Sequence, residues 1–236
     1  MQVGVRTVGG RVAVAAALAA VLGGCAGSGD DGKRPVPPSA SARGATAGGT
    51  AGTGTTAVRG GTVGPAGSAC ELPVRFAVAA HWKAEPVDAA KESAPSAQSG
   101  DGDLGEALAD ALLRQGPVTM ACEIDAKPAG SIGYLRVWTG RPGDADAGGV
   151  LRRFVAAEDG VGKERYHSFR TGGGLTAVEV EYSTTNRLVE ETKKESAFAV
   201  GTPDGPVVLH LGGMDTEEHE RMRPAYDLAK RTLTLS

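Results

Sequence analysis

A chain of 236 residues can hold one or two domains, yet its ten aromatic residues all lie at or beyond Phe76, while 17 of its 36 glycines precede residue 70. Residues 1–69 therefore lack the means to build a core, which leaves residues 70–236 as one globular domain. That domain has 19 Lys and Arg against 26 Asp and Glu, a charge of −7, and an acidic domain without a basic stripe excludes nucleic acid as its main partner.

In chain order the first element is a leader. Residues 1–11 carry Arg6 and Arg11 and no acid. Residues 12–22 (VAVAAALAAVL) form an apolar run of 11, far short of the roughly 20 needed to span a bilayer. A basic start, a short apolar middle and a small-residue end predict an export signal over residues 1–24. The exit, Leu22-Gly23-Gly24-Cys25, resembles the bacterial lipoprotein box. That resemblance implies a thioether-linked diacylglycerol on Cys25, cleavage just before it, and residence on the extracytoplasmic face of the cell membrane. Ordinary signal cleavage nearby, for instance in Ala26-Gly27, is the alternative. Two acyl chains make a firm anchor where one is marginal.

Residues 26–69 are dominated by Gly, Ala, Ser, Thr and Pro without hydrophobic period, and are expected to be a disordered tether. These 44 residues would reach roughly 35–40 Å root-mean-square. They include Gly52-Thr-Gly54-Thr-Thr-Ala57, a formal dinucleotide-loop pattern that is rejected because no strand precedes it and no helix follows. With Cys25 lipidated, Cys70 and Cys122 remain, and outside the membrane they are expected to pair rather than stay as free thiols.

Within the domain, residues 72–79 alternate as a strand, and residues 83–102 are expected to be a long exposed loop. Asp103 and Glu106 form a capping box for a helix that ends at Gly116-Pro117. Strands follow at residues 118–126 and 132–138. A second helix spans residues 145–157, with Val150, Leu151, Phe154 and Val155 inward. Residues 164–169 and 175–182 read as a hairpin. Residues 195–200 and 207–211 are strands around the turn Thr202-Pro203-Asp204-Gly205. Asp215 or Thr216 caps a last helix whose inner face is Met222, Tyr226, Ala229 and Leu233, and Pro224 is expected to kink it or mark its start. The order β-α-β-β-α-β-β-β-β-α predicts an α+β domain, an antiparallel sheet with helices packed on it.

Three segments carry a resemblance: Phe76-Ala-Val-Ala-Ala-His-Trp82, Gly201-Thr-Pro-Asp-Gly205 and Pro224-Ala-Tyr226-Asp-Leu-Ala-Lys230. Each is similar to a segment of PsbP-like domains, and the small actinobacterial lipoproteins of the LpqN type look nearest. The resemblance covers residues 70–236, apart from the insertion at 83–103. It implies a sheet sandwiched by helices and a non-enzymatic role as an assembly factor or binding module, with no common catalytic residue to carry over.

No catalytic constellation is legible. There is no G-x-S-x-G elbow, and His219-Glu220-Arg-Met-Arg223 has Arg where a second zinc ligand would stand. No metal and no cofactor are expected, and His210 reads as a core residue. Glu179 and Glu181 share one strand face, expected to be the solvated one, with Val178, Val180 and Tyr182 facing inward. A recognition surface, if formed, would use Trp82, Trp138 and Arg141, the tryptophans otherwise being core. The reading that results is a membrane-anchored exported module that binds an envelope protein or lipid. The alternative is an envelope hydrolase or transferase.

Overall fold

The computed structural model describes residues 56–88, 113–143 and 146–236. The leader, Cys25 and the tether as far as residue 55 lie outside the described residues. So do the loop from residue 89 and the helix expected from Asp103 as far as residue 112. Leu113 is helical, but Arg114 and Gln115, expected in the last turn of that helix, are instead a short strand paired antiparallel to Val118 and Thr119.

Among the described residues the elements are β1 (Arg59–Val63), β2 (Val74–Ala79), β3 (Lys83–Pro86), β4 (Arg114–Gln115), β5 (Val118–Asp125), β6 (Gly133–Thr139), α1 (Ala147–Ala156), β7 (Val161–Arg170), β8 (Thr176–Asn186), β9 (Glu191–Thr202), β10 (Gly205–Gly213), α2 (Thr216–Thr232) and β11 (Thr234–Leu235). The main sheet runs β3-β5-β6-β10-β9-β8-β7, with β4 also paired to β5, and every pairing is antiparallel. A smaller sheet has the order β1-β2-β11. The α+β expectation therefore holds, with two corrections. β1 falls in the segment expected to be tether, and β3 opens the segment expected to be loop. Both are edge strands held by backbone pairing. In β1 only Val63 turns inward, so there was no hydrophobic period to read. In β3 the proline is tolerated because, among the described residues, nothing pairs on its outer side.

Strand alternation gives the main sheet two apolar faces, and each is covered. On one, Asp146 caps α1 by accepting the Gly149 N–H at 3.0 Å. Val150, Leu151, Phe154 and Val155 then pack on Met120, Trp138, Val180, Ala197 and Val208. On the other, Asp215 caps α2 by accepting the Glu218 N–H at 2.8 Å. Glu217 and Glu218 in its first turn and Lys230 and Arg231 in its last complement the helix dipole. The helix runs through Pro224 instead of starting there. Met222, Tyr226, Ala229 and Leu233 pack with Val74 and Phe76 against Ile124, Phe198, Leu209 and Leu211.

Cys70 and Cys122 form the expected disulfide, with Cα atoms 6.0 Å apart, which ties the chain before β2 to β5. Gly205 closes the β9–β10 turn at φ 119°, where a Cβ would lie 2.4 Å from the Gly140 carbonyl oxygen.

The pairing registers also fix which loops share an end. The β8–β9 tip, the β10–α2 junction, the β5–β6 turn, the β2–β3 corner and the start of β1 all lie at one end of the main sheet. The β6–α1 loop, the β9–β10 turn and the far end of β3 lie at the other.

Candidate functional site

The three residues expected to form a recognition surface do not meet. Trp138 is 4% exposed and stacks edge-on to Phe154 at 5.4 Å, so it belongs to the core beneath α1. The cause is the pleat: Trp138 pairs with Val208 and Met120, which face the helix. Arg141 is exposed, but in the loop after β6 at the far end of the sheet. Trp82 is half-buried at the near end, where it helps to line a shallow cavity of about 440 Å³ with Val58, His81 and Pro224.

Glu179 and Glu181 share a strand face as expected, but that face is not solvated. It is the α2 side, and Glu179 is 1% exposed. An antiparallel sheet often leaves one face wet, and here α2 closes over it. Glu179 accepts from the Lys230 ammonium of α2 and meets His167 Nε2, directly opposite on β7, at 2.9 Å. The Lys230 ammonium also lies 4.6 Å from the centre of the Phe169 ring. The wholly buried Tyr226 hydroxyl and Glu179 Oε1 lack aligned partners. Burial, then the Glu179 charge, pushes the Tyr226 phenol well above its ordinary range.

Two turns nearer the start of α2, Glu181 is gripped by Arg223 at 3.0 Å and Arg165 at 3.3 Å. Burial works against its charge, but Arg223 and Arg165 outweigh burial and hold the carboxyl below the usual range. Arg223 also donates to Ser196 Oγ at 2.8 Å, and that oxygen lies 3.0 Å from His219 Nε2. Burial pushes His219 down to about 4, against the pull of Glu195, so the ring is neutral at neutral pH. These groups, with the Lys194–Glu220 pair at the rim, surround a cavity of about 240 Å³. Gly213 lets α2 begin this close to β10, since a Cβ there would sit 2.7 Å from the His219 backbone nitrogen.

A serine oxygen beside a neutral imidazole is the contact from which nucleophilic catalysis is built. Two parts of that machinery are missing here. Ser196 is fully buried, and among the described residues His219 Nδ1 has no partner to orient the ring. Sequence spacing could not have found this pair, since its members lie 23 residues apart on a strand and a helix.

The α1 face holds a second buried polar chain. Glu195, 3% exposed, meets Lys193 at 2.8 Å and His210 Nε2 at 3.2 Å. The same His210 nitrogen is 3.2 Å from the Tyr182 hydroxyl, which donates to Glu158 at 3.1 Å. Gln115 completes the chain by donating to Glu158 at 2.8 Å. Burial opposes the Glu195 charge, but His210 and Lys193 hold its carboxyl below the usual range. His210 is thus a partnered core histidine. Among the described residues no group of three or more His, Cys, Asp or Glu side chains could hold a metal ion.

Residues 39–233 match a family described as uncharacterised lipoprotein, and the chain belongs to that family. No curated protein matches it. In structure it is similar to cyanobacterial PsbP (CyanoP) from Synechocystis sp. PCC 6803, solved in solution. The TM-score is 0.46 and the identity 10%, over 80% of this chain and 98% of that one. A likeness at that level says nothing about function. No helix of the described residues is long and apolar enough to cross a membrane.

Proposed function

We propose that the protein is a lipoprotein anchored through a diacylglycerol thioether on Cys25, on the extracytoplasmic face of the cell membrane. Residues 1–24 are its removed signal, residues 26–57 its tether, and the β-rich domain a non-enzymatic module that binds a protein or lipid of the envelope. Membership of a lipoprotein family is the observation that carries this reading, and Leu22-Gly23-Gly24-Cys25 supplies its chemistry. Ser196 borders the small cavity but has no exposed surface of its own, which supports binding over catalysis.

The test is fractionation of cells expressing the full chain. Cys25→Ala is expected to move the protein from the membrane to the soluble fraction and to remove the mass of the lipid. Retention in the membrane would end the anchoring proposal. Capture of the lipidated protein from membranes, with bound proteins and lipids both identified, tests the module. A hydrolase is the second reading, favoured by the Ser196–His219 contact alone. Turnover of an envelope ester that Ser196→Ala abolishes would establish it.

A further inference from the structure

Six large hydrophobic side chains are exposed among the described residues: Val58, Ile132, Leu188, Val189, Met214 and Leu235. Five of them, all but Leu235, lie at the same end of the main sheet. They form a broken line across that end. Leu188 and Met214 border one cavity, of about 720 Å³. The Met214 N–H donates to the Ile132 carbonyl at 3.0 Å. Ser131, next to Ile132, borders the shallow cavity that also contains Val58.

The tip of the β8–β9 hairpin carries the most exposed of these side chains, Leu188. The last paired residues are Asn186 and Glu191, and in the loop between them Leu188 is 94% exposed and Val189 64%. Asn186 Oδ1 accepts the Leu188 N–H at 2.9 Å, which shapes the loop instead of letting its side chains fold inward. Adjacent aliphatic side chains held clear of a folded domain mark a contact surface.

The same end is where the chain enters the domain. Val58 precedes β1, and its carbonyl accepts the Ala80 N–H at 2.7 Å. The segment between residues 88 and 113 leaves and rejoins the sheet at the opposite end, so neither of its junctions is beside the patch. Arg187 on one side of the tip is matched by Glu190 and Glu191 on the other, which leaves no positive excess for anionic headgroups.

We infer that this end of the domain rests on the bilayer, with Leu188 and Val189 inserted among the lipid chains. The inference rests on the anchoring proposed above. As the flexible tether proposed above, residues 26–57 would have a root-mean-square reach of roughly 30 Å, about the length of the longer strands. The end bearing Val58 is therefore the one held nearest the membrane. Tethering also makes a weak insertion count, because the tip faces the lipid at a high effective concentration. The contact is apolar and does not depend on lipid charge.

The experiment uses the full lipidated chain, with its disulfide intact, in phosphatidylcholine vesicles containing spin-labelled phosphatidylcholine. An environment-sensitive fluorophore is placed on Arg187→Cys, which keeps both apolar tip residues, or on Asp204→Cys in the β9–β10 turn at the other end. The label at 187 is expected to shift to the blue and be quenched, and the label at 204 to do neither. Adding Leu188→Ser and Val189→Ser should abolish the quenching at 187, and adding phosphatidylglycerol should not increase it. Equal quenching at both positions, or none while the chain floats with the vesicles, overturns the inference and leaves the anchor standing. A chain that does not float at all overturns both. A blue shift at 187 without vesicles shows the tip covered by protein, a second copy or the tether, and also overturns it.

Discussion

Glu179 and Glu195 lie on adjacent strands and opposite faces of one sheet, 1% and 3% exposed, but their charges are neutralised by different means. Glu195 is served from within the sheet, by Lys193 two residues before it and by His210 on the neighbouring strand. Helix α1, which covers that face, buries Gly148, Val150, Leu151, Phe154 and Val155 and brings no buried charge. Glu179 is met within the sheet by His167, whose side chain is half-exposed, and takes its ammonium partner from Lys230, 51 residues away on α2. On the α1 side the register of the strands settles the electrostatics and the helix adds apolar area. On the α2 side the docking of the helix and the burial of the carboxylate support each other, because without Lys230 the buried carboxylate keeps only the half-exposed His167 as a partner.

The largest expected effect tests that dependence. Lys230→Ala should cost about 3 kcal/mol in urea unfolding, the lower end of the scale for breaking a buried pair from one side, because the half-exposed His167 stays beside Glu179. Glu179→Gln in the same background should recover most of it. If Lys230→Ala costs no more than the matching change at Lys193, the contrast between the faces fails.

Next is the covalent staple on the α2 side. Removing it by Cys70→Ala with Cys122→Ala should lower stability by about 4 kcal/mol, given the separation of 52 residues. An unchanged urea midpoint would mean that packing around β2 and β5 suffices.

The third effect is pH-dependent. His219 has a folded pKa of about 4, below the ordinary value of 6.5, so between those values the folded state binds fewer protons than the unfolded one. Stability should therefore fall as pH drops from about 6.5 towards 4, by roughly 2–3 kcal/mol. His219→Asn should flatten that part of the profile. The depressed carboxyls of Glu181 and Glu195 add a further loss at lower pH, as they are protonated. A profile equally steep with and without His219 would place the acid sensitivity on other groups. The smallest effect belongs to Lys193→Ala, about 1 kcal/mol, because its ammonium is 35% exposed and His210 stays beside Glu195.

Much of the fold was legible because its signals are local. The Thr202–Gly205 turn, the Asp215 cap, the α1 face and the Met222, Tyr226, Ala229 and Leu233 stripe all lie where periodicity and turn chemistry put them. The strands β1, β3 and β11 were not legible, because short edge strands are held by backbone pairing that leaves little mark on side-chain choice. Glu179 was misassigned to the solvent because its alternation with Val178 and Val180 is what a one-sided sheet would show. The warning stood in the strands beside it: Ala197-Phe198-Ala199-Val200 and Val207-Val208-Leu209 have no polar alternation, the mark of strands buried on both faces. Trp138 follows the same logic, since its strand neighbour Val208 belongs to the inner run.

By itself the sequence determined the pairing of Cys70 with Cys122, the α+β class and the inner faces of the two described helices. Each is written in composition or in spacing over a few turns of chain. Only the tertiary structure decided that both faces of the sheet are closed. It also brought Ser196, His219, Glu181 and Arg223 to one cavity, and set the exposed aliphatic residues at the end where the chain enters. Those outcomes depend on which distant segments meet across the sheet, and meetings at such separations are set by strand register and helix docking together.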